Sequence, residues 1–209
     1  MIIRVCIPFY SEFEACKEGL KELEACTEHT FLIEPRQGTY IGKTRNHLVN
    51  DGKSSAKAQS PIQGVDAFLF IDSDIKFNYA LIEQLTSKNV KIATLPYRKH
   101  AENALFECGE FVTGFDGEIS SHYTVEETGV KKVSWCGSGM MLVKREVFEN
   151  MEYPWFRHTM VVKGEYQEEM GEDIGFCVGA KNANFNIWCD FNNPVEHVRR
   201  TAEQFDWSI

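Results

Sequence analysis

The chain has 209 residues, 43% of them hydrophobic, 12% aromatic and 25% charged, with a formal net charge of −9. That length and composition suit one globular domain with a substantial core and exclude disordered, collagenous and membrane-spanning classes. The acidic balance argues against direct duplex DNA binding, because a sequence-independent nucleic-acid binder needs a basic face to displace counterions.

The opening MIIRVCIPFY carries no signal-peptide core, and the longest apolar stretch, around Phe68 to Ile71, falls far short of the roughly 20 residues of a membrane helix. A cytoplasmic protein with no membrane partner is the expectation. The seven cysteines, at 6, 16, 26, 108, 136, 177 and 189, are odd in number and contain no C-x-x-C pair. They suggest neither a zinc site nor a complete disulfide framework, and most should be reduced and buried as small hydrophobes.

In chain order, residues 2–8 form an apolar run stopped by Pro8, which predicts a buried strand. Ser11 and Glu14 have the spacing of a capping box, and Phe13, Cys16, Leu20 and Leu23 recur at helical spacing after it. A second strand is predicted at 30–34 and a short helix at 43–49, ended by Asp51-Gly52; residues 53–64 read as a surface loop. The continuous apolar run at 65–71 has the character of a strand buried on both faces, and it leads directly into Asp72-Ser73-Asp74. A helix at 79–88 and a strand at 90–95 follow. This alternation predicts an α/β fold: an open, mainly parallel, Rossmann-like central sheet with helices on both faces, and ligands at the strand C-terminal ends.

The second half differs, with turn signals at Asp116-Gly117 and Thr128-Gly129 that predict a small antiparallel element. Further strands at 133–136, 140–143 and 186–190 and helices at 145–150 and from Glu172 complete the reading.

Two carboxylates flanking one residue at the end of a buried strand can face one cation. Hard ions such as Mg²⁺ or Mn²⁺ take such oxygens and fill their remaining positions with water and phosphate, so a diphosphate is the natural partner. His197, just past the last strand, is a candidate to complete a site begun by Asp74. Glu172 and Asp173 open a helix, where the dipole favours anions; they read either as capping residues or as a general base aimed into a cleft. Trp135, Trp155 and Phe156 are candidate stacking surfaces for a sugar, and Gly137, in a segment expected to be flexible, lies beside the cleft. Residues 154–171 suit a lid over it.

The segments VCIPFYSEFEACKEGLKELE, GKTRN, VDAFLFIDSDI, KIATLPYRK, VSWCGSGMMLVKREVFE, GEDIGFC and VEHV, in that order, resemble a GT-A fold glycosyltransferase dependent on nucleotide sugars. The resemblance spans residues 6–198. It implies a single catalytic domain over 1–209, with a nucleotide-binding half at 1–100 and an acceptor-binding and metal-completing half at 101–209. It implies that Pro8, Phe9 and Tyr10 line the nucleobase and ribose pocket, that Glu34 at the second strand's end faces the base, and that Arg45 reaches the phosphates. Asp72 and Ser73 would meet the donor, and Asp74, His197 and Asp72 would hold Mn²⁺ or Mg²⁺. Glu172 and Asp173 would be the catalytic pair, with Trp135 and Gly137 on the acceptor side. The implied reaction is metal-dependent, hexosyltransferase-like transfer from a nucleotide diphosphate sugar to a small or accessible acceptor, which includes a modified nucleobase presented by a partner. A catalytically inactive nucleotide-sugar-binding module and a sugar-phosphate nucleotidyltransferase are the rival readings; the latter expects a Gly-rich basic loop where this chain has PFYSEFE. Arg199 and Arg200 could add charge near phosphate or be a solvated pair, and the same holds for Lys43 and Arg98.

Overall fold

In the computed structural model, residues 1–10, 14–52, 60–98, 105–111, 121–163 and 166–198 are described. The first half runs β1 (Ile2–Phe9), a 3-10 turn at Glu14–Cys16, α1 (Lys17–Glu24), β2 (Thr30–Gln37), α2 (Ile41–Asn50), β3 (Ala67–Ile71), β4 (Ile75–Lys76), α3 (Tyr79–Ser87) and β5 (Ile92–Thr94). The second runs β6 (Leu105–Glu110), β7 (Ser121–Thr124), β8 (Val130–Val133), β9 (Trp135–Cys136), β10 (Met140–Lys144), α4 (Arg145–Asn150), β11 (Thr159–Lys163), β12 (Tyr166–Met170), α5 (Glu172–Asn182), β13 (Ile187–Asp190) and β14 (Glu196–His197).

A seven-stranded sheet in the order β2-β1-β3-β10-β5-β13-β8 organises these elements. β1 pairs in parallel with β2 and β3, β5 pairs in parallel with β13, and β10 lies antiparallel between β3 and β5. The sheet is therefore mostly parallel, as the α/β alternation predicts, with β10 and β8 reversed. The three-stranded β7-β6-β9 sheet and the β11-β12 hairpin supply antiparallel structure in the second half.

Side-chain alternation on β3 divides the core. Phe68 and Phe70 point into a cluster with Leu48 of α2, Phe148 of α4 and Phe176 of α5. Ala67, Leu69 and Ile71 point into a second cluster with Leu20 and Leu23 of α1 and Ile82 and Leu85 of α3. All five β3 residues are fully buried, so the strand has no polar face and its first polar residue is Asp72 at the sheet's C-terminal edge. All seven cysteines are free thiols and only Cys26 is not buried.

Three local expectations change. The second strand was expected over 30–34, yet β2 continues through Pro35 to Gln37. β2 is an edge strand, where proline's missing N–H removes no ladder bond on its open side. Ser11 of the predicted capping box lies outside the described residues, and α1 is entered from the 3-10 turn with Cys16 at its N-cap and no side-chain capping bond. Trp155 and Phe156 are 1% and 2% exposed and packed in the core, so neither offers a face for stacking. The start of the expected lid is also pinned: the Asn46 side chain donates to the Phe156 carbonyl at 2.7 Å and accepts its N–H at 3.1 Å.

Candidate active site

The site forms where β3 ends. The Asp72 N–H donates to the Gly139 carbonyl at 2.9 Å and the Ile75 N–H to the Asp72 carbonyl at 3.0 Å, closing a tight turn over Asp72-Ser73-Asp74. β4 follows at once and pairs antiparallel with β14, with His197 in register with Ile75. This two-stranded ribbon carries the late histidine back to the turn: His197 Nε2 lies 3.0 Å from Asp74 Oδ2. The other ring nitrogen, Nδ1, is 3.1 Å from the Arg98 carbonyl. A carbonyl only accepts, so Nδ1 carries a proton and Nε2 faces Asp74.

Asp74 and His197 fit a divalent ion by donor type, since Mn²⁺ takes carboxylate oxygen and imidazole nitrogen. Their surroundings fit as well, because a backbone carbonyl fixing the far ring nitrogen is the usual support of a ligating histidine. Among the described residues no three metal-ligating side chains converge. Asp72, expected as a third ligand, is held elsewhere: its Oδ1 accepts from Arg45 Nη2 at 2.5 Å. The pair therefore suits an ion whose other ligands are substrate oxygens and water.

Arg45 does not reach outward for phosphate. It is 3% exposed, and its two terminal nitrogens bind Asp72 and Glu172. Its Nε lacks a hydrogen-bond partner among the described residues. Burial opposes the guanidinium charge, but Asp72 and Glu172 outweigh it and drive its pKa further up. Gly42, one turn earlier on α2, makes the contact possible. A Cβ there would sit 2.9 Å from Cβ and Cγ of Glu172.

Glu172 is thus a buried structural partner of Arg45, whereas Asp173 beside it is half-buried and makes no ion pair among the described residues. Its Oδ1 accepts the Ile174 N–H at 2.8 Å. Burial, the Glu172 charge and, more weakly, the Asp72 charge push its pKa up to about 6, against the opposing pull of Arg45. A carboxyl poised there can exchange a proton near neutral pH.

At the end of β1, Pro8 is buried, Phe9 half-buried and Tyr10 72% exposed. Ser73 is half-buried, while Lys43 and Arg98 are exposed. Glu34 does not end its strand as expected, since β2 runs on to Gln37. It pairs in register with Cys6, below Pro8, and lies 3.6 Å from Arg4. Trp135 is 3% exposed, with an edge-to-face His122 at 4.7 Å and an indole N–H that has no partner among the described residues, so its ring offers no open face to an acceptor. Gly137 is closed in: a Cβ there would lie 2.0 Å from the Tyr97 hydroxyl. Arg199 and Arg200 lie outside the described residues.

Sequence reasoning missed Tyr97 and Asn46. Asn46 sits inside the GKTRN segment, where the pairing of a buried arginine with an adjacent amide was its only signal. Tyr97 lacks even that, because its role arises from contacts with residues 42 and 100 positions away.

No protein-family model matches the chain, and no curated protein matches it. Solved structures do. A197 from STIV is 14% identical over 98% of this chain and 100% of that one, with a TM-score of 0.56. GalNAc-T7 with UDP, GalNAc and Mn²⁺ is 11% identical over 97% of this chain and 44% of that one, at 0.56. The catalytic domain of Drosophila beta1,4-galactosyltransferase 7 with xylobiose is 15% identical over 97% and 73%, at 0.50. The chain has a GT-A-like glycosyltransferase fold. Among its described residues, no helix is long and apolar enough to cross a membrane.

Proposed function

We propose that this protein is a metal-dependent glycosyltransferase that moves a hexose-like sugar from a nucleoside diphosphate sugar to a small acceptor. The observation that carries this reading is the convergence, at the end of β3, of the Asp74–His197 pair with Asp72, which Arg45 ties to Glu172 at the head of α5, next to Asp173. The GT-A-like fold supports it.

Asp74 and His197 would hold Mn²⁺ or Mg²⁺, which when bound neutralises the leaving diphosphate as a Lewis acid. Pro8, Phe9 and Tyr10 would line the nucleobase pocket, with Ser73 and the free oxygen of Asp72 turned to the donor sugar. Arg45 would fix the carboxylates of Asp72 and Glu172 in place beside an oxocarbenium-like centre. Asp173 would take the proton of the acceptor hydroxyl as that oxygen attacks the anomeric carbon opposite the diphosphate, whose bond to that carbon breaks; such a single displacement inverts configuration.

The test is a thermal-shift screen of nucleoside diphosphates and nucleotide sugars with and without Mn²⁺. A ligand that binds only the folded state raises its apparent stability by mass action. Stabilisation by one diphosphate only with metal is expected. No response at concentrations well above micromolar contradicts the reading, and metal-dependent binding without transfer to any acceptor points to the inactive-module rival.

A further inference from the structure

The geometry points to Tyr97 as the positioning residue that holds the Asp72 arm and the His197 arm of the site in one arrangement. This rests on the metal-dependent reading of that site and extends it to a residue that touches neither metal nor donor.

Tyr97 follows β5 and is 8% exposed. Its hydroxyl accepts the Gly139 N–H at 3.2 Å, and the Gly139 carbonyl accepts the Asp72 N–H at 2.9 Å. One end of the tyrosine therefore fixes the turn that aims Asp72. The ring packs edge-on against the His197 imidazole, with centroids 5.5 Å apart at 65°. The backbone acts on the same histidine, since the Arg98 carbonyl next along the chain takes His197 Nδ1 at 3.1 Å and the Pro96 carbonyl takes the Val195 N–H at 2.9 Å. Residues 96–98 thus cradle His197 on one side while the Tyr97 side chain braces Gly139 on the other.

The G-x-G segment acquires a physical reason from this contact. A Cβ at Gly137 would lie 2.0 Å from the Tyr97 hydroxyl and one at Gly139 would lie 2.8 Å from its ring. The glycines admit the phenol; they are not a flexible acceptor loop. Burial, then the nearby Asp72 and Asp173 charges, push the Tyr97 pKa well up, so the hydroxyl stays neutral over the working range.

The experiment compares the wild type with Tyr97→Phe and Tyr97→Leu by Gly139 amide hydrogen exchange and by direct Mn²⁺ titration. Circular dichroism checks the fold, and Tyr97→Met replaces the leucine variant if that one unfolds. Tyr97→Phe keeps the ring and loses the acceptor: the Gly139 amide should exchange at least about 10-fold faster while Mn²⁺ affinity stays within about twofold. Removal of the ring in a folded variant should weaken Mn²⁺ binding by about 10-fold, the lower end for a partner that supports a ligand. Unchanged Gly139 exchange in the phenylalanine variant, or unchanged Mn²⁺ affinity in a folded ring-less variant, overturns the assignment. Absence of Mn²⁺ binding by the wild type overturns the metal reading instead, and the exchange arm then decides whether Tyr97 braces the turn.

Discussion

At Asp173, burial and the Glu172 charge produce a carboxyl that titrates at about 6 instead of near 4. The raised value means that the fold prefers the protonated form. Stability from this group is fully present below about pH 4, where folded and unfolded chains are both protonated, and is lost as pH rises through 6. Asparagine keeps the acceptor for the Ile174 N–H and never ionises. Asp173→Asn should therefore be more stable than wild type by about 1–3 kcal/mol at pH 7.5, discounted because the group is half-buried, with the gain vanishing near pH 4. Thermal melts across that range check it. The same substitution should leave donor binding nearly unchanged and cut transfer by about 10²–10⁴-fold, and the wild-type rate should rise through pH 6. A wild-type rate in the variant places the base elsewhere. Arg45 makes the opposite kind of contribution, because its removal strands two carboxylates, one of them buried. Arg45→Met should cost about 3–5 kcal/mol in urea unfolding, and Arg45→Lys less, since it keeps the charge but not the fork.

At the scale of elements, α2 shows where packing overrides propensity. Alanine normally improves a helix position held by glycine by about 1 kcal/mol. Gly42→Ala should instead destabilise the protein, because its Cβ would meet the Glu172 side chain at 2.9 Å; a urea midpoint above that of wild type would contradict the tight α2–α5 contact. The β3–Asp72 junction was legible in the sequence because a fully apolar strand cannot hide a polar residue, so the first carboxylates mark the sheet edge. The segment 140–143 was legible as a strand, but its place between β3 and β5 and its reversed direction were not. An apolar run reads the same in either direction, and neighbours in a sheet are chosen by pairing across long connections. Glu34 was misplaced because the second strand was read as ending there, whereas β2 runs on through Pro35 to Gln37, as an edge strand allows.

Over the whole molecule, strands from both halves of the chain share one sheet, and its C-terminal edge gathers residues from 45 to 197 into one site. The acidic residues that do this were identifiable from the sequence; their division of labour was not. Arg45 braces Asp72 and Glu172, whereas Asp74, His197 and Asp173 lie outside that brace. That division depends on which carboxylate lies within reach of a single guanidinium, a distance no spacing reveals. With a net charge of −9 the protein has little general attraction for a diphosphate, so donor binding should depend on the cation at Asp74 and His197. The decisive measurement is a calorimetric titration of nucleoside diphosphates, with Mn²⁺ and with chelator, into wild type and Asp74→Ala. Asp74 is exposed, so the variant should fold normally and lose metal-dependent affinity by at least about 100-fold, more than a supporting residue costs. Equal affinity in the two proteins, or wild-type binding indifferent to metal, would contradict the account.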